Sequence, residues 1–248
     1  MPVGPDECRW LVQLDSQADV SPHVYAHGDQ VGGYDMAWVV MERLPYGPLN
    51  ADWGGREFDL IVDAVGRFYR AASHYPAPQV SASRDWQQIL ELARQKVRQN
   101  ALPNQQAWTR TLKRVRRHLK AWTTQWDDRP THHWCHGDLH LGNAMTRQQD
   151  GPAVLLDFAN THVGHWIEDA VYFEHIYWSD PGRLNGRKLC TAIARGRKEL
   201  GLPVERNWLE LANIRRALLA MSTPAKLEHV GNPQHIAAAS ALLQHAVR

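Results

Sequence analysis

Cysteine, net charge and long apolar runs are all scarce in this chain of 248 residues. The three cysteines, Cys8, Cys135 and Cys190, are too few and too scattered for a disulfide framework or a CxxC metal knuckle. Their odd number fits a reducing compartment. The formal net charge is only +2, so no strong field draws the chain to nucleic acid or to an anionic membrane. The longest apolar run, residues 36–41 (MAWVVM), falls far short of the roughly 20 residues that span a bilayer. The opening residues, MPVGPDECRW, lack a basic stretch followed by an apolar one, so the expectation is a cytoplasmic protein without a leader. Lysine is missing from the whole first third; the first is Lys96.

What is present is ordinary for a globular protein: 44% hydrophobic and 22% charged residues. That excludes disorder, a fibre and a disulfide-built miniprotein. At roughly 100–200 residues per domain the length allows one large domain or two small ones. The 11 tryptophans serve as core or pocket wall and carry no function by themselves.

Patterning divides the chain. A helix is expected over 6–14, with Trp10, Leu11 and Leu14 on one side. Strands are expected at 24–26 and 36–41, with Gly32 and Gly33 as the hairpin turn and His27-Gly28-Asp29 as part of that turn. A Pro/Gly joint follows at 44–48. Helical periods fill 57–74, 84–99 and 105–125, and short strand signals return at 131–135, 143–146 and 153–158. Asp150-Gly151 marks a hairpin between the last two. Helices are expected again over 167–178, 186–200, 206–222 and 233–247. The expected architecture is α/β (α+β), in two pieces: 1–46, small and strand-bearing, and 47–248, large and mainly helical.

The chemistry concentrates in His132–Asp169. Asp138 precedes Asn143 in a D-x-x-x-x-N spacing, and Asp157 ends the next hairpin in Leu155-Leu156-Asp157-Phe158. This order suits phosphoryl transfer, in which one aspartate takes the acceptor's proton while an asparagine and a second aspartate hold Mg²⁺. A hard cation takes oxygen ligands, so an amide oxygen and a carboxylate serve it better than imidazole or thiolate.

The segment from His136 to Asn143 (HGDLHLGN), followed by Leu156-Asp157-Phe158 and Asp169, resembles the aminoglycoside phosphotransferase and choline kinase group, of protein-kinase-like fold. Residues 38–49 (WVVMERLPYGPL) are similar to that group's strand and hinge. The resemblance runs from about residue 7 to at least residue 175. It implies two lobes, the N-terminal one reduced, and an enzyme moving a phosphoryl group from ATP or GTP to a hydroxyl of a small molecule. It implies Asp138 as catalytic base, with His136, Asp169 and His140 bracing the catalytic loop. Asn143 and Asp157 would bind Mg²⁺. Met41, Glu42, Arg43 and Leu44 would face the nucleotide base through their backbone. Glu7 would be the helix glutamate that pairs with a phosphate-anchoring lysine, and here no such lysine is present. The chain is therefore expected to begin after the first three small-lobe strands, an absence of roughly 25–40 residues. It would then expose sheet edges that invite a partner or self-association.

Two other readings stand beside this one. The first is a weak or inactive kinase-like binding module, because phosphate positioning is most of what such enzymes supply. The second is a metal hydrolase built on His136, Asp138 and His140. The basic helix near 110–120 reads as a solvated face, Cys135 as a buried thiol, and His132-His133 as a strand-edge pair. A cationic acceptor would call for acidic residues such as Glu168, Glu174 or Asp180. The acceptor, the choice of ATP or GTP and the oligomeric state are not legible.

Overall fold

A computed structural model describes residues 3–17, 19–51, 54–78, 84–100, 102–227 and 232–248. In chain order the elements are α1 (Pro5–Leu14), β1 (Val24–Val31), β2 (Tyr34–Met41), α2 (Glu57–Ala72), α3 (Trp86–Gln99), α4 (Gln105–Asp127), β3 (His133–Cys135), β4 (Ala144–Thr146), β5 (Ala153–Leu155), β6 (His162–Gly164), α5 (Ile167–His175), α6 (Leu189–Glu199), α7 (Trp208–Ser222) and α8 (Pro233–Ala246). The mixed α/β class, with more helix than strand, is the expected one. Sheets among the described residues are two-stranded: β1 with β2, β3 with β6, and β4 with β5, all antiparallel.

Two compact units divide these elements. The first comprises Met1–Val80, Pro130–Phe173 and Leu184–Val204. Its core is the apolar face of α2, where Phe58, Ile61, Val65, Phe68 and Ala72 recur at helical spacing and are buried. That face packs against β3, β5 and α6. α1 buries Trp10, Leu11 and Leu14, with Trp10 edge-on to Phe68, Tyr75 and Trp134.

The second unit comprises Ser81–Arg129, Glu174–Arg183 and Glu205–Arg248. Asp85 caps α3 by accepting from the Gln88 N–H at 2.8 Å, and Asn232 caps α8 through the Gln234 and His235 N–H groups. α4 buries Trp108, Leu112, Val115 and Leu119 and leaves Arg110, Lys113, Arg114, Arg116, Arg117 and Lys120 exposed, a solvated basic face. No helix among the described residues is long and apolar enough to cross a membrane.

Three local expectations are corrected. His27-Gly28-Asp29 lies inside β1, not in the turn, which is Gly32 and Gly33 at φ +57° and +87°. Gly28 is there because a Cβ would lie 2.7 Å from the Trp38 ring. β6 carried no sequence signal; at three residues it is defined by pairing with β3. The third short strand ends at Leu155, before Asp157 turns to φ +60°.

Candidate active site

The loop after β3 is held from behind. Asp169, fully buried in the first turn of α5, accepts the backbone N–H of His136 on Oδ2 and that of Gly137 on Oδ1, each at 2.8 Å. Tyr69 of α2 donates its hydroxyl to Asp169 Oδ2 at 2.9 Å. Its phenol is pushed well above the ordinary range by burial and then by the Asp169 charge, so it stays a donor. His136 is buried; its Nε2 donates to the Leu156 carbonyl at 3.0 Å and its Nδ1 accepts from the Asp138 N–H at 3.4 Å. Burial holds its pKa below the usual histidine value, so the ring is neutral at pH 7. Gly137 is required by shape: its φ is +84°, and a Cβ would lie 2.0 Å from the Asn160 carbonyl oxygen.

These contacts project Asp138, whose side chain is 22% exposed. Asn143 donates through Nδ2 to the Asp138 carbonyl at 3.1 Å and to Asp138 Oδ2 at 3.2 Å. His140 folds over Gly142, accepting its N–H at 3.0 Å on Nδ1, and brings Nε2 to 3.7 Å from Asp138 Oδ2. A Cβ at Gly142 would lie 2.8 Å from that imidazole.

The β4–β5 hairpin brings Asp157 beside this loop. Ala144 faces Leu155 in the ladder, and the Leu156 N–H donates to the Asn143 carbonyl at 2.9 Å. Because Asn143 turns its amide nitrogen to Asp138, its Oδ1 is turned away from that contact. Asn143 and Asp157 offer an amide oxygen and a carboxylate, the donor types that fit a hard divalent cation. Asp157 sits at a left-handed φ, a conformation that accumulates at functional sites.

Residues 46–49 lie along the same hairpin. Thr146 N–H donates to the Tyr46 carbonyl at 2.8 Å and Leu49 N–H to the Ala144 carbonyl at 2.9 Å. Met41 ends β2, and Glu42 turns its side chain to Arg147, with three contacts of 2.9–3.0 Å. Burial would raise the Glu42 pKa, but the bonds from Arg147 and the His23 N–H outweigh it and lower it. Arg43 is exposed and Leu44 buried. Glu7 is half-buried on α1; burial, followed by the Asp157 charge, raises its pKa.

Some expected groupings do not form. His136, Asp138 and His140 do not converge: one imidazole points its Nε2 at a carbonyl and the other folds over Gly142. Among the described residues no three His, Cys, Asp or Glu side chains gather as a metal site. Of the acidic candidates, Glu168 accepts the His165 N–H, Glu174 pairs bidentately with Arg216 at 2.6 and 2.8 Å, and Asp180 lies 3.9 Å from Arg183.

The sequence reading missed Tyr69, Arg147 and Tyr172, whose hydroxyl donates to Asp138 Oδ1 at 2.5 Å. Only Tyr172 left a signal: it lies three residues after Asp169, on the same helix face.

The profile of the phosphotransferase enzyme family matches residues 3–201. The chain is similar in fold to an aminoglycoside phosphotransferase of Alicyclobacillus acidocaldarius, with TM-score 0.61 and 15% identity over 99% of this chain and 81% of that one. It is also similar to amicoumacin kinase hAmiN, solved with AMP-PNP and Ca²⁺ (TM-score 0.57, 15% identity, 98% and 76% covered). A third is a microcompartment-associated aminopropanol kinase (TM-score 0.57, 17% identity, 99% and 80% covered). No curated protein sequence matches the chain.

Proposed function

The chain belongs to the phosphotransferase enzyme family, and from that premise we propose that it moves the terminal phosphoryl group of ATP or GTP to a hydroxyl of a small molecule. The observation that carries this reading is Asp138, a carboxylate at the tip of a loop that Asp169, Tyr69 and His136 fix from behind. Asp138 takes the acceptor's proton late in the transfer, so it needs placement more than unusual basicity. Asn143 and Asp157 would hold Mg²⁺, which would supply positive charge to offset that of the nucleotide phosphates. His140 steadies the loop beside Asp138. Met41, Glu42, Arg43 and Leu44 would take the nucleotide base through their backbone, with residues 1–46 as a partial nucleotide lobe.

The acceptor belongs among small hydroxyl compounds, as aminopropanol does for one of the similar kinases. With Glu168, Glu174 and Asp180 already engaged, neutral and amine-bearing alcohols both belong in the test panel. A cytoplasmic setting suits Cys8, Cys135 and Cys190, none of which is in a disulfide among the described residues. The exposed Tyr25, Tyr34, Met36 and Val40 of the β1–β2 ribbon support a partner or a second copy there.

One observation favours a binding module instead. Burial, then the Asp157 charge, raises the Glu7 pKa, and this sequence has no lysine before Lys96.

Asp138→Ala separates the readings. In the enzyme it lowers turnover of a phosphorylated alcohol by about 10²–10⁴-fold, while Mg²⁺–ATP still raises the melting temperature. Equal turnover in the two proteins rules out Asp138 as base. A nucleotide-induced shift without any turnover across the panel favours the module.

A further inference from the structure

Both carboxylate oxygens of Asp138 already have partners. Asn143 Nδ2 reaches Oδ2 at 3.2 Å, and the Tyr172 hydroxyl reaches Oδ1 at 2.5 Å. The second contact is in the short range of O–H···O⁻ hydrogen bonds. It is also the contact that an acceptor hydroxyl must make with a general base. Tyr172 thus fills one of the positions on Asp138 from which an acceptor hydroxyl could donate.

We propose that Tyr172 guards Asp138: without an acceptor its phenol covers Oδ1 and keeps water from being activated there, and only an acceptor hydroxyl displaces it. The proposal rests on the reading of Asp138 as base.

Several observations fit a built-in guard. Asp138 is mostly buried, so few directions of approach to Oδ1 remain open once the phenol is in place. Tyr172 is itself half-buried, on the same helix whose Asp169 fixes the His136 and Gly137 backbone. Its neighbours Ala170, Val171 and Phe173 are buried, so the helix is anchored and the phenol is aimed by the element that aims the loop. Burial, then the bond to Asp138, pushes the phenol's pKa up, so Tyr172 donates throughout the working pH range. Rotation about its side-chain torsions can withdraw the hydroxyl without moving the backbone.

The guard matters because water is always at hand. If water replaces the phenol, its proton passes to Asp138 and its oxygen bonds the terminal phosphorus. The bond from that phosphorus to the bridging oxygen then breaks, leaving nucleoside diphosphate and inorganic phosphate. The acceptor reaction is the same, with the alcohol oxygen in water's place.

The test needs no knowledge of the acceptor. Phosphate release from Mg²⁺–ATP is measured without any alcohol for the wild-type chain, Tyr172→Phe, Asp138→Asn and the double variant. Nucleotide binding is checked for each by thermal shift. Release is expected to rise about tenfold or more in Tyr172→Phe and to return to the Asp138→Asn background in the double variant. A purely structural role for Tyr172 would lower activity and never raise it. Equal release in wild type and Tyr172→Phe, with nucleotide bound, overturns the guard and leaves Asp138 as base. A rise that survives Asp138→Asn overturns it too, as does phosphate found on Tyr172 itself, which would make it an acceptor. Failure of nucleotide to bind any of the four overturns both the guard and the kinase reading. Tyr172→Met gives the same comparison if the phenylalanine variant does not fold.

Discussion

Gly137 shows how little freedom the loop after β3 has. Its φ of +84° and the 2.0 Å approach of a Cβ to the Asn160 carbonyl leave no room for any side chain. Gly137→Ala is expected to cost about 3 kcal/mol or more, combining left-handed strain with a backbone clash that cannot relax cheaply. Urea unfolding would read this, and a loss under 1 kcal/mol would show that the loop yields. His136 makes the loop sensitive to acid. Its folded pKa lies below 6.5, so its neutral form contributes fully above that value. As pH falls from 6.5 through the folded value, the unfolded chain binds the proton first and stability drops. His136→Gln, which takes no proton, should flatten the stability profile as pH falls below 6.5; an unchanged slope there would assign it to other groups. At this scale the sequence was informative where residue type and spacing lay within one loop. It was silent on Tyr69, whose partner Asp169 is 100 residues away, because nothing local marks a buried helix tyrosine as a donor rather than core.

At the scale of elements, periodicity found the long helices because each buries one stripe of a repeating pattern. It failed on short pieces. β1 runs to Val31 although its second half is polar, since an exposed two-stranded ribbon needs no apolar face. β6 is too short for any pattern and exists only through β3. The tie between hinge and hairpin was likewise invisible. Arg147 holds Glu42 through Nε and Nη2 and also donates to the Ser21 carbonyl at 3.0 Å. This fork joins the end of β2 to the turn after β4. A double-mutant cycle of Glu42→Gln and Arg147→Gln should return a coupling of about 1–2 kcal/mol at pH 7. The coupling should fade as pH falls through 4.5, where the unfolded carboxyl, and then the folded one, takes its proton. If the hinge carries the nucleotide base, both variants also raise the KM for ATP more than the KM for the alcohol. A coupling near zero would reduce the pair to a surface contact.

At the scale of the whole molecule, the N-terminal and C-terminal stretches differ in how much the sequence tells. The family profile ends at residue 201, ahead of α7 and α8, and no motif marks the helices beyond it, which is why the acceptor stays unread. At the other end of the profile, burial and then the Asp157 charge raise the Glu7 carboxyl. The sign follows from linkage. Below about pH 4.5 Glu7 is protonated in both states and costs nothing. As pH rises through its folded value the unfolded chain ionises more readily, so the folded protein loses stability and keeps that loss at neutral pH. Glu7→Gln should therefore raise Tm at pH 7 and leave it unchanged at pH 4. Because the carboxyl keeps part of its water, screening limits the gain to roughly 1–2 °C. Scanning calorimetry at the two pH values checks each step. A lower Tm for Glu7→Gln at pH 7 would mean that favourable contacts of Glu7 outweigh its burial and the repulsion from Asp157.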